Sequence, residues 1–264
     1  MIHDTSAVAR GTVDMTGGEQ VYLVGIDDTD NLHSPGTGFH ARQLGGRLVS
    51  GRAARLLDIS RHQLLFDRRI PYTSHNSSLC LRIAVAPGGM DRVMSICREY
   101  LLAESAPGSD AGLCIAPWTS VNHAIQSFGA LAKREILTLD QAVATARDHA
   151  IHLEGLTGDH GGMIGALSAV GLRRTGQDGR VAWRPGVRET SGVVTAGYLR
   201  QHTGIDVIRE YQGDAPIADS DRIDVGRWPR PVLQNGQAVL LIEKGNPDHG
   251  IDWKLVPKQI LSQF

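Results

Sequence analysis

Three carboxylates fall within four positions, Asp27, Asp28 and Asp30, in the run Gly25-Ile26-Asp27-Asp28-Thr29-Asp30. Like charges crowded this way are unfavourable unless a cation or hydrogen-bond donors neutralise them. Magnesium takes one or two carboxylates, several waters and the phosphates of a substrate, so the cluster suits the protein share of a magnesium–nucleotide site. An aspartate-rich turn with capping roles would use the same residues. In an extended chain Asp28 and Asp30 project to the same side. Shortly after them, Ser34-Pro35-Gly36-Thr37-Gly38 leads into a predicted helix. The free N–H groups and dipole of a helix N-terminus favour phosphate, which makes Gly36 and Gly38 candidate nucleotide contacts. Thr37 brings a hydroxyl that suits three roles: an acceptor nucleophile, a magnesium ligand or a plain N-cap. A second glycine-rich turn, with Gly161, Gly162 and Gly165, offers either a phosphate loop or close helix packing. The chain carries no G-x-x-x-x-G-K-[ST], which excludes a P-loop enzyme.

The elements that must position these groups are readable in outline. Residues 1–19 are polar and read as a loose leader. Val21 to Ile26 is a short apolar run that predicts a buried strand, placing the aspartates at its carboxyl end, where ligands gather in open α/β sheets. A helix is expected over 39–57, a strand over 79–85 with alternating Leu79, Leu81, Ile83 and Val85, and a helix over 90–103. A strand over 113–116 precedes helices over 121–133 and 139–150, the second opened by a Thr138/Gln141 capping box. Small residues on several faces of 163–172 predict a helix packed very close to a neighbour. A charged, glycine-containing connector at 173–180 reads as a boundary between a domain over 20–175 and one over 176–264. Beyond it the pattern predicts a strand over 181–184, a helix over 191–202, a strand over 205–209 and a tight hairpin at Asn235-Gly236. The expected fold is an α/β first domain followed by a smaller α+β unit.

Composition narrows the function classes. The chain has 264 residues, a net charge of −1 and 21% charged residues, the profile of a folded globular protein. That balance argues against holding nucleic acid by bulk charge, while leaving room for a local patch. Among the 27 basic residues the lysines are Lys133, Lys244, Lys254 and Lys258. The arginine excess reflects a GC-rich genome before it speaks for function, although planar forks also suit phosphate recognition. Cys80, Cys97 and Cys114 have no C-x-x-C spacing, so no zinc ribbon or disulfide framework is expected. No apolar run approaches the ~20 residues of a membrane span, and no apolar h-region opens the chain. A cytoplasmic protein with reduced thiols and no membrane partner is the expectation.

The acidic run with Thr37 seven residues beyond it resembles the opening of archaeal agmatidine synthetase, which modifies the wobble cytidine of an isoleucine tRNA with ATP and agmatine. Arg69-Ile70-Pro71-Tyr72-Thr73-Ser74 is similar to the family's I-P-[aromatic] segment, and the run from Gly161 to Gly171 to its I-G-A-L-A-A segment. Trp228-Pro229-Arg230-Pro231-Val232-Leu233 resembles a later part of its ferredoxin-like domain.

The resemblance implies a kinase-like domain over 20–175 and a ferredoxin-like domain over 176–264. It implies Asp27, Asp28 and Asp30 as magnesium ligands on ATP, Thr37 on the phosphate side, and Gly161, Gly162 and Gly165 in the nucleotide cradle. The implied chemistry phosphorylates an acceptor oxygen and lets an amine displace it. Two departures stand out. Thr73, Ser74, His75 and Asn76 follow the aromatic position where the family tends to carry basic residues. The family's OB-fold and zinc ribbon have no counterpart in the sequence. With the neutral charge, these departures turn the expectation toward an ATP/Mg²⁺-dependent ligase or phosphotransferase acting on a smaller substrate, possible amines included. The alternatives are tRNA modification with RNA binding supplied by a partner, or a nucleotide-binding regulatory module.

Overall fold

The computed structural model describes residues 18–70 and 76–264. The leader read over 1–19 therefore lies almost wholly outside the described residues, as do Pro71, Tyr72, Thr73, Ser74 and His75.

The first half is built as β1 (Gln20–Asp27), α1 (Thr37–Ser50), β2 (Arg55–Gln63), β3 (Ser77–Val85), α2 (Met90–Glu104) and β4 (Gly112–Pro117). The strands lie in the order β4-β1-β3-β2, every neighbour antiparallel. This is the split βαββαβ, or ferredoxin-like, arrangement. The resemblance implies a ferredoxin-like unit over 176–264; the chain order of that fold is present over 20–117.

Both faces of these strands are covered. Val24 and Ile26 of β1 point into a core shared with Ala41, Leu44 and Leu48 of α1 and Val93 and Leu101 of α2. Leu23 points the other way, into a second core formed with α3 (His123–Ala132), α4 (Leu139–Asp148) and α5 (Gly162–Thr175). A strand buried on both faces needs apolar residues at successive positions, which is why Val21 to Ile26 reads as an unbroken run. The short strand β5 (His152–Gly155), not foreseen in the sequence, extends the sheet beyond β4. The close packing expected of α5 is present: a Cβ on Gly25 would overlap the Ala166 carbonyl oxygen. The capping box on α4 is also present, with the Gln141 amide donating to Thr138 Oγ1 at 3.2 Å.

Two expected helices are shorter than the sequence suggested. The one expected over 39–57 ends at Ser50, because Gly51 and Arg52 form a turn in which Arg52 takes φ 53°. Residues 55–57 belong to β2. The one expected over 191–202 begins as the strand β7 (Val193–Thr195), and Thr195 then caps the seven-residue α6 (Ala196–His202).

The second half contains β6 (Arg180–Trp183), β7, α6, β8 (Val207–Glu210), β9 (Arg222–Asp224), β10 (Val232–Gln234), β11 (Gln237–Lys244), β12 (Trp253–Leu255) and α7 (Lys258–Leu261). Asn235 and Gly236, at φ 51° and 75°, make the tight β10–β11 hairpin that the Asn-Gly pair predicts. Val187, Leu199, Ile223, Leu240 and Trp253 form a separate apolar core here. Hydrogen bonding nevertheless does not stop at the 173–180 connector. β6 pairs antiparallel with β2, with Arg61 opposite Arg180, and the described strands form one twelve-stranded sheet. Among the described residues no helix is long and apolar enough to cross a membrane.

Candidate functional site

β1 delivers the acidic run to the end of the sheet, and the backbone then reverses. Asp28 has φ 50°, in the left-handed region, so the chain is not extended from Asp27 to Asp30 as the sequence reading assumed. Asp30 instead turns back to the start of α1. Its Oδ1 accepts the Thr37 hydroxyl at 2.6 Å and the Thr37 amide at 3.2 Å. The N-cap position belongs to Gly36, which makes no side-chain cap, so the Asp30 carboxylate does the capping and Thr37 does not. The Thr37 amide is thus already bonded rather than free for phosphate.

Asp27 and Asp28 behave as the crowding argument requires. Burial, reinforced by repulsion from Asp28, pushes Asp27 up to about 7. Burial and then repulsion from Asp110 push Asp28 up to about 6. Asp110 is a site residue that sequence reasoning missed. It sits in the loop before β4, with no local motif to mark it. Its Oδ1 accepts the Asp159 amide at 2.8 Å and its backbone oxygen accepts the Gly162 amide at 2.9 Å. Asp110 therefore fastens the second glycine turn beside Asp28.

The start of α5 completes the site. A Cβ on Gly165 would overlap Asp27 Oδ2, and one on Gly162 would approach the Asp110 and Asp27 backbone oxygens at 2.5 and 2.8 Å. These glycines let helix and carboxylates come together. Gly161 differs: its added Cβ would meet only Asp110 Oδ2, at an ordinary 3.6 Å. Most amides of this turn are committed internally, since Gly162 bonds Asp110, Met163 bonds His160 and Ile164 bonds Gly161. The expected cradle of free N–H groups is correspondingly narrower than the glycine pattern suggested.

Asp27, Asp28, Asp30, Thr37, Gly161, Gly162 and Gly165 all border one cavity of about 260 Å³, near the lower end of the ~300–1,000 Å³ usual for small-molecule sites. Gly36 and Gly38 lie outside its wall. Leu64, Ile136, Leu137 and Ile164 add apolar lining to the same cavity, beside the polar Arg69, Asn76, Ser77 and Glu135. Among the described residues no three His, Cys, Asp or Glu side chains converge closely enough to hold a metal by themselves. Magnesium does not need three, because it takes most of its shell from water and phosphate. Two raised carboxyls facing a cavity fit such a cation, which would relieve their mutual repulsion.

A second polar constellation lies deeper. Ser60 Oγ stands 2.8 Å from His62 Nε2, and His62 Nδ1 stands 2.9 Å from Asp178 Oδ1, which Lys133 also engages. The distances match a nucleophile triad, but Ser60 and His62 are 1% and 0% exposed, so no substrate reaches them. This network ties β2 and α3 to the connector.

No protein-family model matches the sequence, and no curated protein matches it. Solved structures do match in fold. The TiaS–tRNA(Ile2)–ATP complex aligns with a TM-score of 0.51 and 22% identity, over 58% of this chain and 36% of that one. Apo TiaS, a tRNA(Ile2) agmatidine synthetase, gives 0.50 and 21%, over 57% and 35%. The TiaS–tRNA(Ile2)–AMPCPP–agmatine complex gives 0.50 and 20%, over 57% and 36%. The likeness is one of fold, and the chain spans little more than a third of the length of these structures.

Proposed function

We propose that the chain is an ATP-dependent enzyme that binds a magnesium–nucleotide complex in the 260 Å³ cavity and activates an acceptor oxygen for attack by an amine. The observation that supports this most is the meeting of β1 and α5. Asp27 and Asp28, raised by burial and crowding, border with the glycine turn a cavity that also has apolar lining. Asp27 and Asp28 would hold the cation, while Leu64, Ile136 and Leu137 offer a dry surface for a base. Magnesium, when bound, neutralises phosphate charge during transfer. Asp30 holds the Thr37 hydroxyl in a fixed direction at the rim. Thr37 gives its one hydroxyl hydrogen to Asp30, so Thr37 Oγ1 would offer its lone pairs to the cation, and Gly161 leaves room for phosphate close to the backbone.

The acceptor is proposed to be smaller than a whole tRNA. Calorimetric titration with Mg·ATP, followed by a search for transfer of radiolabelled γ-phosphate, tests the reading. Asp28→Asn is expected to lower Mg·ATP affinity at least ~tenfold, since it removes a charge that the cation pairs with. Equal affinity in wild type and variant would reject the site.

A second reading takes tRNA itself as the acceptor. It is favoured by the TiaS complexes with tRNA(Ile2) and agmatine, whose fold the chain shares in part. Conversion of a transcript of that tRNA in the presence of ATP and agmatine would decide for it.

A further inference from the structure

Arg61 and Arg180 face each other directly across the β2–β6 ladder. Residues opposite one another in a sheet share a face, and like charges so placed are destabilising. Asp27 and Asp30 attract Arg61 in part. Among the described residues none of Arg42, Arg61, Arg180, Arg188, Arg227 and Arg230 pairs with a carboxylate within 4 Å. Five of the six are partly buried. Repulsion links them into one group. Beyond burial, Arg61 is disfavoured by Arg180, Arg180 by Arg230, and Arg188 by Arg42, Arg227 and Arg230.

Neutral oxygens hold several of these forks in place. Arg61 Nε donates to Ser77 Oγ at 2.8 Å, Arg188 Nε to the Ala182 carbonyl at 3.1 Å, and Arg42 to the Gly38 carbonyl at 2.6 Å. Each keeps donors to spare, because guanidinium carries five N–H groups. Trp228 stands among them, with Arg188 4.1 Å from its ring centre and Arg227 and Arg230 each at 5.4 Å. Ser77, bonded to Arg61, also borders the nucleotide cavity. The arginine face therefore begins at the cavity rim and runs onto the second half of the chain.

We propose that this face binds the phosphate of the acceptor substrate, so that the enzyme acts on a phosphate-bearing molecule. The orientation toward the cavity rests on the function proposed above, whereas the anion site rests on the arginines alone. Planar forks match phosphate oxygens in pairs, and a bound phosphate would remove the repulsion between Arg61 and Arg180. The neutral net charge hides the patch, because the chain's 28 acids balance its 27 bases overall.

Two probes carry phosphate from different sources. One is a fluorescein-labelled ten-nucleotide single-stranded RNA without terminal phosphates, followed by anisotropy. The other is ribose 5-phosphate, followed by calorimetry. At least one should bind the full chain at low salt, and Arg180→Gln and Arg230→Gln should each weaken it about tenfold. The exposed Arg227→Gln should weaken it measurably as well. Binding of the RNA alone assigns the face to nucleic-acid backbone; binding of ribose 5-phosphate alone assigns it to a small phosphomonoester. Failure of both probes on the wild type, or unchanged binding in all three variants, overturns the proposal. So does an equal loss of Mg·ATP affinity in Arg180→Gln, which would make the arginines part of the nucleotide site. Mg·ATP is titrated separately into the wild type: its failure with a probe still bound rejects the nucleotide reading and leaves this one standing.

Discussion

The Asp30 carboxylate accepts both the hydroxyl and the amide of Thr37 through the same oxygen, at 2.6 and 3.2 Å. One side chain thereby caps α1 and aims the only hydroxyl that borders the acidic end of the cavity from that helix. Thr37→Val removes the hydroxyl and keeps the amide bond, so the loss of stability should be modest, about 1 kcal/mol in urea unfolding. Turnover should fall much further, and Thr37→Ser should restore most of it. Parallel loss of stability and turnover would instead assign Thr37 a purely structural role.

Titration of Asp27 and Asp28 gives the apo protein a pH dependence of definite sign. Both carboxyls are raised from 3.8, to about 7 and about 6, so the native state keeps protons that the unfolded chain has released. Their contribution to stability therefore declines as pH rises from about 4 toward 7. Asp27→Asn should raise Tm at pH 8 and change it little at pH 4, while abolishing Mg·ATP binding. Thermal scans at the two pH values check this. A lower Tm at pH 8 would mean that the native charge is already well compensated.

The buried ion group beneath the sheet should respond in the opposite sense. Burial alone would push Asp58 up, but Arg173 and Arg82 outweigh it and hold the carboxyl below the ordinary range. Asp58→Asn strands two guanidiniums, one of them on Arg173, which is 1% exposed. A destabilisation of about 3–5 kcal/mol is expected in urea unfolding.

Gly165 of α5 and Gly161 just before that helix should separate cleanly. Gly165→Ala drives a methyl into Asp27 Oδ2 and should reduce Mg·ATP affinity sharply. Gly161→Ala meets an ordinary contact and should leave Tm within about 1 °C, a surface-type change. Comparing Tm and affinity for the two variants checks whether the glycine at 165 serves the acid or the helix.

What the sequence disclosed follows from where the determining contacts lie. β1, its acidic end, and the glycine-rich start of α5 are local patterns, and they border one cavity. β2 escaped because its buried positions include Asp58, Ser60 and His62, which look like surface residues. Their partners are Arg173, 115 positions away, and Asp178, 116 positions beyond His62. Asp110 escaped for the same reason, since its role depends on a turn some fifty residues later. The ferredoxin-like unit over 176–264 came from the resemblance, and the same order over 20–117 was not legible because its β2 was unread. The arginine face was concealed twice over, by the balanced net charge and by its division between β2 and the 180–230 region.

The ladder between β2 and β6 bears on how this protein can be dissected. Severing the chain at the connector would leave two fragments, each with a raw strand edge whose hydrogen-bonding groups had lost their mates. Such edges recruit whatever strand is nearest, so the fragments should clump or rejoin one another rather than behave as independent modules. The stretch at 173–180, where composition changes, is thus one that strand pairing bridges from either side.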